Sequence, residues 1–257
     1  MATTTSNEGN SNTLYPTNNP IDSSSSFILM KPCSSNTFLS GLAVFGIEFA
    51  QLDAILVTHE HIDHVRGIDV ITKKFPIPVY GTKETLQEYL HSIKQTERFE
   101  NLMHLIEPGE SFCIKDIVVD TFSVSHDAGN PIGYTFTANG HKIGMATDLG
   151  RYDEKILAKL AASEVLYLEA NYDLNMLMAG SYPYSLKLRI AGDRGHLSNE
   201  MSSDLIVKLL HEHLHYVVIA HMSKENNYAE LAYETVRLEI NMADNPYKAD
   251  DFPIHVA

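Results

Sequence analysis

Cysteine is scarce in this chain of 257 residues: Cys33 and Cys113 stand alone, without the spacing of a metal-binding pair. A disulfide-built scaffold does not fit, and reduced thiols match a cytosolic setting. No apolar run approaches the roughly 18–20 residues that span a bilayer. The first residues lack the basic and apolar segments of a secretory leader. Together these absences predict a cytoplasmic protein with no membrane association. Positive charge is also short: 19 Lys and Arg stand against 33 Asp and Glu, a net charge of −14. That balance argues against a broad basic face for nucleic acid. A nuclease stays open, because bound metal ions and a few local Lys and Arg residues can supply positive potential.

What remains is an ordinary globular composition, 44% apolar and 20% charged. The length allows one large domain or two small ones with a substantial core. Within it, residues 59–64 read His-Glu-His-Ile-Asp-His, directly after the apolar run Leu52–Thr58. A strand leading into a helix there places three imidazoles and a carboxylate in one tight turn. Imidazole and carboxylate suit Zn²⁺ or Mn²⁺, with Fe²⁺ also compatible, and one turn can serve two adjacent ions.

The first 26 residues are dominated by Ser, Thr and Asn and form an atypical segment, leaving 27–257 as the main domain. Strand-like alternation follows at Phe27–Met30 and Leu52–Thr58, then a helix-like stretch runs from His64 to about Phe75. A short strand ends at Val79-Tyr80, and Leu86, Leu90 and Ile93 mark a helix face. Asn139-Gly140 predicts a hairpin between Tyr134–Ala138 and Lys142–Thr147. Helices are expected over Glu154–Ala162 and Asp204–Leu214, and strands over Val165–Glu169 and Tyr216–Ala220. A last helix is expected from Asn227, paired with Glu230 as N-cap and N3. The sum is an α/β (α+β) protein with two sheets covered by helices.

Further metal-capable residues sit at predicted strand ends, where scaffolded sites gather. These are His126 after Ser123-Val124-Ser125, Asp148 after Met145-Ala146-Thr147, and His221 after Val217–Ala220. Singly, each reads as a capping or surface residue at least as well as a ligand. Taken together, after the six-residue cluster, they form a strong signal. In this order the chain resembles the metallo-β-lactamase-fold hydrolases across roughly residues 27–240. That resemblance implies a four-layer αββα sandwich. It assigns His59, His61 and His126 to one metal and Asp63, His64 and His221 to a second, with Asp148 bridging.

A narrower resemblance rests on the segments Thr58–His64, Ser125–Ala128, Tyr182–Lys187 with Arg189, Gly195–Asn199 and Ser223–Asn227. These are similar to the bacterial YycJ/WalJ family. The resemblance implies 5′-to-3′ exonuclease activity on double-stranded DNA, through a hydroxide held between two divalent ions. One departure stands out: Lys31, followed by Pro32, occupies the family's usual aspartate position.

His196 lies in a Gly-His-Leu-Ser turn where related phosphodiesterases such as tRNase Z carry an acid/base histidine. It is a candidate proton donor, and Asp63 a candidate both to ligate a metal and to orient the nucleophile. The other reading makes His196 a helix-capping or carbonyl-bonding residue. Lys187, Arg189 and Arg194 are candidate phosphate contacts or ordinary surface charges. Ser198, Asn199, Asn226 and Asn227 either bind phosphate or cap helices, capping being favoured. His211, His213 and His215 are expected near a helix C-terminus, with His211 and His215 at i,i+4 spacing. Competing functions are a small-molecule phosphodiester or thioester hydrolase and a metal-stabilised regulatory module without catalysis.

Overall fold

The structure, a computed structural model, describes residues 28–30, 47–93 and 96–257. The Ser/Thr/Asn-rich segment 1–26, Lys31, Pro32 and Cys33 lie outside the described residues. Strand β1 (Ile28–Met30) pairs with β2 (Ala54–Leu56), followed by β3 (Val79–Gly81) and β4 (Met103–Leu105) in one parallel four-stranded sheet. A parallel sheet is buried on both faces, and the run around β2 shows why it is apolar throughout. Ala54 and Leu56 face the second sheet, whereas Ile55 and Val57 face helices.

Those helices are α1 (Ile62–Val65), α2 (Ile68–Lys74), α3 (Lys83–Ser92) and α4 (Thr96–Glu100). They cover the outer face through Val65, Ile68, Ile71, Leu86, Tyr89 and Phe99. The helix expected over 64–75 is thus two helices. The break falls at Gly67, the weakest helix former in the stretch and the N-cap of α2.

The second sheet has seven strands in the order β11-β10-β9-β8-β7-β6-β5. Its members are β5 (Ser111–Ile114), β6 (Ile117–Ser123), β7 (Ile132–Ala138), β8 (His141–Ala146), β9 (Val165–Glu169), β10 (Tyr216–Ala220) and β11 (Ile254–Val256). Strands β5 to β8 are an antiparallel meander, and β8 to β11 run parallel. The Asn139-Gly140 hairpin forms as expected. Both residues take positive φ, 52° and 85°, as a two-residue primed turn requires.

Ile132, Tyr134, Phe136 and Met145 pack against β2 between the sheets. The outer face is covered by α5 (Glu154–Leu160), α8 (Asn199–Leu209) and α9 (Ala229–Met242). Leu160, Leu205, Ile206, Val236 and Ile240 are buried there, each worth about 1.5–3 kcal/mol. The result is the expected αββα sandwich.

Two helix expectations need correction here. The helix expected over 204–214 is α8, beginning at Asn199 because the Ser198 side chain accepts the Met201 N–H. It ends at Leu209, so His211 and His215 do not share a helical face. Helix α9 begins at Ala229 with Tyr228 as N-cap, since Asn227 spends its side chain elsewhere. Two short helices between β9 and α8, α6 (Leu174–Ala179) and α7 (Tyr184–Ile190), carry too little periodicity to announce themselves.

Candidate metal centre

The ends of β2, β6, β8, β9 and β10 converge on one edge of the sandwich. The turn after β2 is pinned to the seven-stranded sheet at two points. Ile132 N–H donates to the Thr58 carbonyl at 3.0 Å, and the Tyr134 hydroxyl to the Val57 carbonyl at 2.8 Å. His59 follows, fully buried, with His64 buried on α1 and His61 and Asp63 more open. Thr58 Oγ1 lies 3.1 Å from Nδ1 of both His59 and His64. A hydroxyl accepting from both ring N–H groups turns both Nε2 atoms toward the centre.

The partners arrive from the other sheet. His126 Nδ1 donates to the Gly195 carbonyl at 2.9 Å, leaving Nε2 as an acceptor 3.2 Å from His61 Nδ1. Asp148 Oδ1 lies 3.2 Å from His221 Nε2, and Asp148 Oδ2 lies 3.3 Å from His64 Nε2. Asp63 Oδ2 is also 3.3 Å from His64 Nε2. Both Asp148 (φ 59°) and His221 (φ 54°) hold left-handed backbone at their strand ends, where the chain must turn sharply to present them.

These separations test whether metals fit. Ligands at about 2.0–2.1 Å around a tetrahedral ion sit about 3.3 Å apart. Burial, reinforced by the His64, His126 and His61 imidazoles, pushes His59 far below the usual histidine range, keeping it neutral. Its Nε2 is buried with no hydrogen-bond partner among the described residues. An isolated buried acceptor is costly unless something occupies it, and a divalent cation does so. His59, His61 and His126 bring ligand atoms within 4.8 Å of one another, and so do Asp63, His64 and His221. His59, His64 and Asp148 form a third such group between them. The seven sequence candidates therefore meet at one place.

Sequence reasoning missed Glu169, the last residue of β9. It is fully buried, and Oε2 lies 3.1 Å from both His196 Nδ1 and His221 Nδ1. Oε1 accepts the backbone N–H groups of Leu149 and Leu197. Burial alone would raise its pKa, but the His196 and His221 hydrogen bonds hold the carboxyl well below its usual range. Its one warning in the sequence is a carboxylate closing an otherwise apolar strand, Val-Leu-Tyr-Leu-Glu.

His196 itself stands where its turn predicts. Its N–H donates to the Ile190 carbonyl at 2.9 Å, and a Cβ on Gly195 would fall 2.1 Å from that same oxygen. Only glycine lets the loop approach α7 so closely.

The other candidates divide. Arg189 is exposed and pairs with Asp127 beside the cluster, and Arg194 Nη2 donates to the His126 carbonyl at 3.0 Å. Lys187, expected as a phosphate contact, is buried, with Nζ donating to the Met178 and Gly180 carbonyls at 2.6 and 2.7 Å. Asn199 and Asn227 bond each other inside the protein, and Ser198 caps α8. Asn226 is buried too, its backbone N–H donating to Ser223 Oγ at 3.2 Å. Desolvation thus favours a structural role for these five. His211 Nε2 donates to the Ser163 carbonyl, remote from the centre.

A four-layer sandwich with histidines and aspartates gathered at its strand ends defines the metallo-β-lactamase fold. Residues 28–222 match the β-lactamase superfamily domain. The chain is 33% identical over 216 residues to the exodeoxyribonuclease WalJ of Streptococcus pneumoniae, covering 82% of this chain and 78% of that protein. It is 34% identical over 185 residues to the exodeoxyribonuclease YycJ of Bacillus anthracis, covering 72% and 69%. Among solved structures, the metallo-β-lactamase-fold protein YhfI of Bacillus subtilis superposes with a TM-score of 0.61. It covers 88% of this chain and 82% of that one, and at 14% identity the likeness is one of fold. The chain belongs to the WalJ/YycJ family of the β-lactamase superfamily, and it is a metal-dependent hydrolase.

Proposed function

We propose that the chain is a two-metal phosphodiesterase that removes nucleotides from the 5′ ends of double-stranded DNA. The observation that carries this reading is the convergence of two three-residue ligand groups on Asp148, with His196 alongside. Two divalent ions bound there, Zn²⁺ or Mn²⁺, supply a nucleophile from water at neutral pH and neutralise phosphate oxygens. His59, His61 and His126 would hold one ion, and Asp63, His64 and His221 the other, with Asp148 shared.

Asp63 is the most open of these residues, its side chain 56% exposed, and can orient the attacking water as well as ligate. The bond from His196 Nδ1 to Glu169 fixes the imidazole, leaving Nε2 turned toward the departing alkoxide as the proton donor. Arg189, at the rim, is placed to meet phosphate if it exchanges Asp127 for the substrate. The exodeoxyribonuclease names of the WalJ and YycJ relatives support DNA as the substrate.

The test is to incubate Zn²⁺- or Mn²⁺-loaded protein with end-labelled duplex DNA, bis-p-nitrophenyl phosphate and a thioester. Stepwise loss from 5′ ends is expected. Turnover confined to the small esters would replace the DNA reading with a small-molecule one. Tight binding of two metals without any turnover would make the chain a non-catalytic module.

A further inference from the structure

Two depressions flank the metal centre, and they differ in chemistry. One, of about 660 Å³, is bordered by Glu60, Glu84 and Glu88 from the β2 turn and α3. Three carboxylates around one opening repel a phosphodiester backbone. The other, of about 240 Å³, opens between His61, His126 and His196 on one side and α7 on the other. Tyr182, Leu186, Arg189 and Ile190 line its far wall. Leu186, Arg189 and Ile190 lie on one face of α7, and Tyr182 stands just before its N-cap, Pro183. The wall is therefore aromatic and aliphatic, with one cation that is paired to Asp127 at the cavity's edge, beside imidazoles that carry the chemistry.

We propose that this second cavity holds the terminal nucleotide of the strand being degraded, unpaired from its complement, with its base against Tyr182 and its phosphate toward Arg189. The proposal rests on the nuclease reading and goes beyond it. The space is of the size of one nucleoside, and the end of the duplex opens by one pair to fill it.

The position of His196 on the cavity wall sets the direction of the reaction. Water adds to phosphorus, the P–O3′ bond of the terminal nucleotide breaks, and His196 gives its proton to O3′. The products are a released nucleotide with a 3′-hydroxyl and a strand shortened by one, bearing a 5′-phosphate. The proton lost by the attacking water returns to His196 through solvent. The leaving group thus sits in the cavity, and the remaining duplex lies outside it, away from the Glu60–Glu88 side. Base stacking on an aromatic ring tolerates every base, as an exonuclease requires.

The experiment compares kcat/KM on 5′-labelled duplexes that end in a matched pair, a mismatched pair or an abasic nucleotide. Wild-type protein, Tyr182→Ala and Tyr182→Phe are tested, with bis-p-nitrophenyl phosphate turnover reporting an intact centre. A mismatched end should be cleaved about 3- to 40-fold faster than a matched one, because opening has been done in advance. An abasic terminus should be about 5- to 150-fold poorer than a mismatched one bearing a base. Tyr182→Ala should erase the gap between base and abasic ends through KM, and Tyr182→Phe should retain it. Equal wild-type rates on abasic and base-bearing mismatched ends would overturn the cavity's role while leaving the nuclease intact. So would an undiminished gap in Tyr182→Ala. Absence of DNA cleavage by the wild type, with the small ester still turned over, would remove the nuclease reading and this occupant with it.

Discussion

The two sides of the metal centre are built in opposite ways. On one side, the turn after β2 packs His59, His61, Asp63 and His64 into six residues, backed by the neutral hydroxyl of Thr58. On the other, Asp148, Glu169, His196 and His221 come from the ends of three strands and a loop, tied together by one buried carboxylate. The local side draws its geometry from a single short turn. The distributed side depends on the whole seven-stranded sheet bringing distant segments together. Glu169 touches a metal-ligand candidate, the proton-donor candidate and two backbone N–H groups at once, so its loss should spread further than that of Thr58.

The largest effect should come from His196→Ala. It should retain both metals, measured by elemental analysis, while kcat on DNA falls by about 10²–10⁴-fold, the usual share of a general acid. Unchanged turnover would return His196 to a purely structural role. Glu169→Gln should follow, with a loss of about 10- to 100-fold in metal affinity or activity, typical of a group that orients ligands. Because both His196 and His221 lean on it, kcat and metal retention should fall together. A loss of one without the other would show that the distributed side is not a single unit. Thr58→Val should cost about tenfold in metal affinity, the low end of the same range, with kcat at saturating metal preserved.

The smallest effect concerns stability without metal. Burial lowers the pKa of both His59 and His126 below the ordinary value of 6.5. Above that value neither state binds the proton. As pH falls below about 6.5 the unfolded chain takes it up first, so folding stability is lost on acidification. The slope should reach about 1.4 kcal/mol per pH unit for each such histidine. Thermal melts of chelator-treated protein between pH 8 and 5 would check this. Saturating metal should flatten the dependence, because it competes with the proton for the same lone pairs.

The same contrast explains what could be read from the chain. His59–His64 is legible because one short turn makes local sequence into local geometry. His126, Asp148 and His221 are legible only as strand-end residues that become meaningful as a set. Glu169 is hidden because nothing in Val165–Glu169 separates a buried carboxylate with four partners from an acidic residue at a strand's exit. Lys187 misleads for the converse reason: a lysine beside an arginine reads as surface charge, yet the carbonyls that bury its Nζ come from α6 and the following loop. In the fold, Val165–Glu169 and Tyr216–Ala220 match their expected bounds because apolar runs ended by turn residues are explicit. The start of α8 escapes because its polar first turn, Asn-Glu-Met-Ser, carries no apolar stripe.

Asp148 and His221 both hold left-handed backbone at the strand ends, a conformation that costs a non-glycine residue roughly 1–2 kcal/mol. Glycine would relieve that cost at either position and would at the same time delete a proposed metal ligand. Selection for thermal stability alone would therefore pull against the metal centre at Asp148, whereas the His221 bond to the buried Glu169 outweighs the backbone cost at the second position. A library screened by melting temperature without metal should enrich Asp148→Gly over His221→Gly, and the winners should be the folded, inert ones.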